Sequence, residues 1–168
     1  HNLNVKVIEA EWGLGAPAEK IANALQADRR RTIKAVLVTH NETATGVRSD
    51  VRAVGRAIAD AGHSALLLCD CVSSLASMEF CMDEWGVDLA VTGSQKGFML
   101  PAGLAIVAAS EKALAATHRS QLSRCFMDFR DMAQSNARGA FPYTPPAQLL
   151  FGLRESLNML LEEGLDRV

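Results

Sequence analysis

Four apolar, β-branched segments separated by helical patterns constrain the fold of this chain more than any other feature. They are TIKAVLVTH (32–40), SALLLCD (64–70), VDLAVTG (87–93) and GLAIVAAS (103–110). After the first of them, apolar residues recur at helical spacing between Val51 and Ala61. Strands that alternate with helices are typical of α/β domains with a largely parallel sheet. We therefore expect one α/β domain in a three-layer α/β/α arrangement.

Several local patterns predict smaller elements. Residues 3–8 (LNVKVI) alternate between polar and apolar side chains and favour a short strand. The strand within residues 32–40 is a continuous apolar run, so we expect it to be buried on both faces. Ser49 is expected to cap the helix that ends near Ala61. Residues 128–145 are expected to be irregular.

Helix boundaries are also predicted at two prolines. Pro17 stands where a first helical residue is favoured, and the helical spacing after it continues to about Ala27. Pro146 is expected to begin a last helix with a wide apolar stripe of leucines. The four cysteines are few for this length, and we expect them to be reduced, structural thiols.

The charge balance excludes two classes of partner. The 168 residues contain 17 Lys and Arg against 19 Asp and Glu, which gives a net charge of −2. A nucleic-acid or membrane-surface protein would show a basic excess or patch. No apolar run approaches the ~20 residues of a membrane helix, and we expect no secretory signal, because the opening HNLNVKVIEAEWG lacks a basic end followed by an apolar stretch. The sequence predicts a cytoplasmic protein, and the start at His1 suggests an internal fragment of a longer chain.

Polar residues follow three of the predicted strands at the point where each strand ends. His40 follows the first strand, Asp70 ends the second, and Ser94, Gln95 and Lys96 follow the third. Ligands of such sheets bind at the carboxyl ends of the strands. A partly desolvated lysine can form a Schiff base with a carbonyl, and a carboxylate can keep a pyridine nitrogen protonated. Asp70 and Lys96 could together hold one pyridoxal phosphate.

The same positions leave a non-enzymatic alternative open. Receiver-like signalling modules also place an acid, a hydroxyl and a lysine at successive strand ends, and they use Mg²⁺ and a phosphorylated aspartate. Asp70, Thr92 and Lys96 would fill these roles. Residues 3–10 do not supply the additional acidic cluster that such a module needs.

Four ordered segments resemble class V (fold type I) pyridoxal-phosphate aminotransferases. They are THNETATGV (39–47), LLLCDCVSSLAS (66–77), DLAVTGSQKGFMLPAGLA (88–105) and FPYTPPAQLLFGLRESLNMLLEEGL (141–165). The resemblance is strongest to serine–glyoxylate and alanine–glyoxylate aminotransferases and spans almost the whole chain. Phosphoserine aminotransferases and cysteine desulfurases share the fold and remain alternatives within it. Cysteine desulfurases have His rather than Gln before their lysine.

The resemblance implies a role for each of seven residues. Lys96 matches the Schiff-base lysine that also moves the substrate proton, and Asp70 matches the acid at the pyridine nitrogen. The other matches are Val72 on one face of the ring, Thr43 near the phenolic oxygen, Ser94 at the phosphate, Gln95 beside the cofactor, and Thr144 at the phosphate of the other subunit's cofactor. No metal is expected.

The resemblance also implies a reaction and an assembly. The expected reaction is ping-pong transfer of an amino group from serine or alanine to glyoxylate, in a homodimer with shared active sites. Residues 1–168 would be part of the large, cofactor-binding domain. The N-terminal phosphate-loop segment and the C-terminal small domain, which carries the substrate-binding arginine, would be absent. We therefore expect these 168 residues alone to be weakly active or inactive.

Overall fold

The computed structural model describes residues 3–167, which form five helices and six strands. The helices are α1 (Ala18–Ala27), α2 (Val51–Asp60), α3 (Glu111–Thr117), α4 (Phe129–Asn136) and α5 (Ala147–Glu163). The strands are β1 (Ala35–Thr39), β2 (Asn41–Glu42), β3 (Val47–Arg48), β4 (Leu66–Asp70), β5 (Leu89–Gly93) and β6 (Ala105–Ala109). Each of the four apolar segments thus contains a strand, as predicted.

The main sheet has the strand order β1-β4-β5-β6. The pairs β1–β4 and β4–β5 are parallel, and β6 runs antiparallel to β5. Asp70 is paired with Thr39 on one side and with Val91 on the other. This topology confirms an α/β fold with a mostly parallel sheet, and it brings the ends of β1, β4 and β5 to one edge.

The two faces of this sheet have different surroundings. On one face, Val38, Leu67 and Cys69 are buried in a core to which α1 contributes Leu25 and α2 contributes Val54. On the other face, Leu37 is 76% exposed. The prediction that this strand is buried on both faces is therefore wrong for the described residues. We call this second surface the open face of the sheet.

The first turn of α2 is capped by a different residue from the one predicted. Asp50, not Ser49, is the N-cap, and its carboxylate accepts a hydrogen bond of 2.9 Å from Ala53 N–H. The Ser49 hydroxyl instead accepts one of 3.1 Å from Ala16 N–H. Both side chains can cap a helix, so the prediction was wrong by one residue because a tertiary contact engages the serine.

Two segments differ from the predicted secondary structure. Residues 3–8 form no strand, since alternation produces a strand only where a neighbouring backbone completes the ladder. Residues 128–145 contain α4, whose N-cap is Asp128. Arg130 and Arg124 donate hydrogen bonds to the Asp128 carboxylate at 2.7 and 2.9 Å. These contacts hold the pKa of Asp128 far below its usual range and fix the start of this helix.

The last helix follows the prediction. α5 begins directly after Pro146, runs for 17 residues, and ends before Gly164, which has a φ of +96°. Its Ser156 hydroxyl donates a 2.6 Å hydrogen bond to the carbonyl of Phe98, so the helix is tied to the turn that follows β5. Among residues 3–167, no helix combines the length and apolar character that a membrane crossing needs.

Candidate active site

Most of the residues predicted to form a site lie at the carboxyl ends of the parallel strands. β4 ends at Asp70, and the connection that holds Lys96 begins after Gly93, the last residue of β5. Thr43 lies beyond β1, in the turn between β2 and β3. Three neighbouring connections therefore present a carboxylate, an amine and a hydroxyl at the same edge of the sheet.

Asp70 is exposed at this edge and is held by its own loop. Its Oδ1 accepts a hydrogen bond of 2.9 Å from the backbone N–H of Val72. Within residues 3–167 no other hydrogen bond to this carboxylate is found, so Oδ2 is left to accept one from a ligand. Val72 is half-buried directly after it. An oriented carboxylate beside an apolar side chain suits a flat, protonated heterocycle.

Lys96 stands in a tight turn and its side chain is exposed. Its carbonyl accepts a hydrogen bond of 2.9 Å from Met99 N–H, and Leu100 N–H donates one of 3.1 Å to Ser94 O. Met99 has a φ of +58°, a left-handed conformation that is uncommon for a residue other than glycine. The backbone of this turn is thus fixed, while the amine is free to reach a ligand.

Ser94 is placed differently from the other predicted residues, because it is fully buried. Its hydroxyl donates a hydrogen bond of 2.7 Å to Pro101 O and accepts one of 3.2 Å from Leu104 N–H. The only hydroxyl hydrogen is therefore used within the chain, and a phosphate could receive it only if the bond to Pro101 broke. The phosphate role of Ser94 stays a prediction.

Thr43, Gln95 and Thr144 are exposed. Thr43 belongs to a turn that Glu42 stabilises by accepting a hydrogen bond of 3.0 Å from Ala44 N–H. Gln95 folds back on the chain, and a methyl group at residue 93 would lie 2.8 Å from its Oε1. Thr144 lies in the coil before α5, and its predicted role concerns a second subunit. The roles of all three stay predictions.

Comparison with known proteins identifies the family. The model of the aminotransferase class-V family matches residues 3–168. The chain belongs to the class-V aminotransferase family. An L-aspartate–glyoxylate aminotransferase from Paracoccus denitrificans is 56% identical over 168 residues, which are 100% of this chain and 42% of that protein. A serine–glyoxylate aminotransferase from Hyphomicrobium methylovorum is 55% identical over 99% of this chain and 42% of its own length.

A solved structure gives the same result for the fold. The ureidoglycine–glyoxylate aminotransferase from Bacillus subtilis superimposes with a TM-score of 0.87 at 29% identity, over 98% of this chain and 42% of that protein. The chain thus spans less than half the length of these class-V relatives. Membership in this family overturns the receiver-like alternative, in which Asp70 would be phosphorylated.

Beneath the exposed edge, this class-V chain contains a buried polar cluster that sequence reasoning did not assign. It consists of His40, Cys69, Cys71 and Ser74, which are each at most 1% exposed. A hydrogen bond from Cys69 lowers the pKa of the Cys71 thiol to about 6 and raises that of Cys69, with His40 and Ser74 as further partners of Cys71. His40 follows β1 and Ser74 lies in the connection after β4, and their polar side chains were the signal that the sequence offered. That both side chains are buried could be seen only in the structure.

Proposed function

We propose that this chain carries the pyridoxal-phosphate site of an aminotransferase that moves an amino group from an amino acid to glyoxylate. The observation that carries the proposal is the placement of Asp70 and Lys96 on connections that follow the adjacent parallel strands β4 and β5. Serine and alanine are the donors that the sequence suggests. The names of the two class-V relatives add aspartate as a third donor to test.

The residues at this edge fit pyridoxal phosphate. The amine of Lys96 is exposed and can bond to the carbonyl carbon of the cofactor. The Oδ2 of Asp70, which accepts no hydrogen bond within residues 3–167, can accept one from the pyridine nitrogen. Val72 supplies apolar contact to one face of the ring. Thr43 and Gln95 would contact the cofactor from the neighbouring connections.

Bound pyridoxal phosphate supplies an electron sink for the charge that develops when the α-carbon of the amino donor loses its proton. Lys96 would hold the cofactor through its amine and, once the donor amine takes its place, that amine would accept the α-proton of the donor and deliver it again within the site. Asp70 would keep a proton on the pyridine nitrogen. With glyoxylate as acceptor, the same residues would act in the reverse order.

Three finer points belong to the same proposal. Residues 1–168 form part of a large domain, and a phosphate loop and a substrate-binding arginine lie in further parts of the protein. Ser94 and Thr144 would complete the phosphate contacts, Thr144 toward the cofactor of a second subunit in a homodimer. A cytoplasmic location, predicted from the sequence, agrees with a substrate pair of small, soluble acids.

The decisive experiment locates the cofactor covalently. The longest reading frame that contains these residues is expressed, mixed with pyridoxal phosphate, reduced with borohydride and mapped by peptide mass spectrometry. We expect the adduct on Lys96 and its loss in Lys96→Arg. Lys34→Arg is the matched control, because Lys34 is an exposed lysine that precedes β1 at the opposite end of the sheet. An adduct on a different lysine would remove Lys96 from this role.

The donor is determined separately. The same protein is assayed with glyoxylate and, in turn, serine, alanine, aspartate and phosphoserine, and glycine formation is measured. It is also incubated with cysteine, and sulfide release is measured. We expect turnover with at least one of the first three. Sulfide release from cysteine, or turnover with phosphoserine alone, would instead place the protein with the desulfurase-like or phosphoserine-specific members of the fold.

A further inference from the structure

Hydrogen bonds hold the connection that follows β4 against the connection that follows β1. His40 N–H donates a hydrogen bond of 2.9 Å to the carbonyl of Asp70, and its ring Nδ1 lies 3.0 Å from Ser74 Oγ. The next residue repeats the pattern: Asn41 Nδ2 donates to Ser73 Oγ at 2.9 Å, and that hydroxyl donates to Asn41 O at 2.7 Å. Four hydrogen bonds thus fix the chain from Asp70 to Ser74.

The His40–Ser74 hydrogen bond is made out of reach of solvent, whereas the Asn41–Ser73 pair is only half-buried. His40 is 1% exposed and Ser74 is 0% exposed. The His40 ring is enclosed by Phe80 and Trp85, whose ring centroids lie 5.6 and 5.7 Å away. A buried polar group is costly unless its hydrogen bond is made, so the ring has one favourable orientation. Because it is buried, His40 can act on a ligand only through the loop that it holds.

The far end of the same loop touches the lysine turn. A methyl group at Gly97 would lie 2.3 Å from Leu75 O and 2.7 Å from Ser77 Oγ, so only glycine allows this approach. Ala76 has a φ of +60°, in the same left-handed region as Met99 in the facing turn. Two strained turns are therefore pressed together immediately beside Lys96. Such strain persists only where the surrounding structure imposes it.

We propose that residues 73–77 act as a spacer that sets the distance between Asp70 and Lys96, with His40, Ser74 and Gly97 as its positioning residues. One end of the spacer is fixed by the buried histidine, and the other end receives the turn that carries the lysine. This inference rests on the proposed function, in which both side chains bind the same ring. It adds three residues that do not touch that ring.

The test compares two spacer variants with two controls in the longest reading frame, loaded with pyridoxal phosphate. Ser74→Ala removes the buried hydroxyl that meets His40. Ser49→Ala is its control, because it also removes a buried hydroxyl. The partner of that hydroxyl is the backbone N–H of Ala16 and not a side chain. Gly97→Ala is compared with Gly62→Ala, which places a methyl group on a residue with a φ of +54° after the end of α2, at the opposite end of the sheet from the lysine turn.

Three quantities are measured for each variant: the pyridoxal-phosphate dissociation constant, the pH midpoint at which the visible absorption of the bound cofactor changes, and the melting temperature. We expect both spacer variants to weaken cofactor binding, to shift the pH midpoint and to lower kcat by about 10- to 100-fold, as a displacement near 1 Å does. The controls should lower the melting temperature, but their pH midpoint should equal that of the wild type.

The outcomes separate this proposal from the proposed function. If the wild type takes up the cofactor on Lys96 but Ser74→Ala keeps its affinity and pH midpoint, the spacer proposal is wrong and the proposed function stands. If the wild type binds no cofactor on Lys96, the proposed function itself fails. If Ser49→Ala shifts the pH midpoint as much as Ser74→Ala, the effect is general destabilisation and the spacer proposal is again wrong. Ser74→Ala decides the matter even if Gly97→Ala does not fold.

Discussion

At the scale of single residues, the second carboxylate oxygen of Asp70, which accepts no hydrogen bond within residues 3–167, leads to a direct prediction. Asp70→Asn keeps the size of the side chain and an acceptor for Val72 N–H, but it removes the negative charge that holds a proton on a pyridine nitrogen. We expect kcat to fall about 100-fold or more, the scale of a lost proton-transfer partner, while cofactor still attaches to Lys96. Steady-state kinetics and borohydride mapping measure the two effects. An Asp70→Asn enzyme with unchanged kcat would contradict the role of this carboxylate.

The cysteines give a second prediction at this scale. Cys69 and Cys71 are 1% and 0% exposed, whereas Cys125 is exposed. The lowered pKa of the Cys71 thiol favours the nucleophilic thiolate, but a disulfide reagent must first reach the sulfur. We expect rapid reaction of Cys125, slower reaction of the half-buried Cys81, and reaction of the buried pair only on unfolding. Titration with a chromogenic disulfide before and after urea addition measures this, and Cys125→Ser should abolish the fast phase. Rapid labelling of Cys71 in the folded chain would contradict the burial.

At the scale of elements, Asp28 links the end of α1 to β1. Its carboxylate accepts hydrogen bonds of 2.7 Å from Ile33 N–H and 2.9 Å from Thr32 Oγ1, and His63 Nε2 lies 3.4 Å away. These contacts, the Ile33 N–H first among them, lower the pKa of Asp28 from 3.8 to about 2. The folded form thus binds this proton more weakly than the unfolded form does.

The sign of the pH dependence follows directly. The contribution of Asp28 to the free energy of unfolding is complete above about pH 4 and is lost as the pH falls toward 2. We expect Asp28→Asn to be less stable than the wild type at pH 5, with a difference that narrows as the pH falls to 3. Urea unfolding at a series of pH values measures this. Asp60→Asn, at the exposed end of α2, serves as control, and a constant difference for Asp28→Asn would refute the linkage.

The elements also show where sequence reasoning succeeds and fails. The strands β1, β4, β5 and β6 were predictable because each is a continuous apolar run that ends in polar residues. The strand predicted for residues 3–8 was wrong, since alternation says nothing about whether a partner strand is present. α4 was missed because its eight residues are mostly polar, and the one side chain that they bury is that of Ser135.

The candidate site also contains residues that the sequence predicts and residues that it does not. Asp70 and Lys96 were found because strand ends in a parallel sheet share an edge, which is a rule of topology. The burial of Ser94 and the contact of Gly97 with Leu75 O depend on how two loops pack, 22 residues apart in the second case. A sequence pattern does not encode that proximity. The residues proposed to bind the cofactor were therefore easier to place from the sequence than the residues proposed to position them.

At the scale of the whole molecule, the open face of the sheet exposes apolar side chains, and we expect them to govern how these 168 residues associate. Leu37 is 76% exposed there and Val107 is 40% exposed. Leu37, Leu68 and Val91 line a shallow depression of about 320 Å³ on this surface. Contiguous apolar surface of this kind is typical of a region that another layer of structure covers. The three-layer arrangement expected from the sequence would place helices from further parts of the protein here.

A matched pair of leucines tests this interpretation. Leu37 and Leu67 lie on adjacent strands but on opposite faces, and Leu67 is 0% exposed. In the 168-residue chain we expect Leu37→Lys to reduce both the binding of a hydrophobic dye and concentration-dependent association, with little change in the free energy of unfolding. Leu67→Ala should instead lower that free energy by about 2–5 kcal/mol, because it leaves a cavity in the core. In the protein expressed from the longest reading frame, Leu37→Lys should instead lower the free energy of unfolding, since it would place a charge between packed layers. Equal tolerance of Leu37→Lys in both lengths of chain would show that no further layer covers this face.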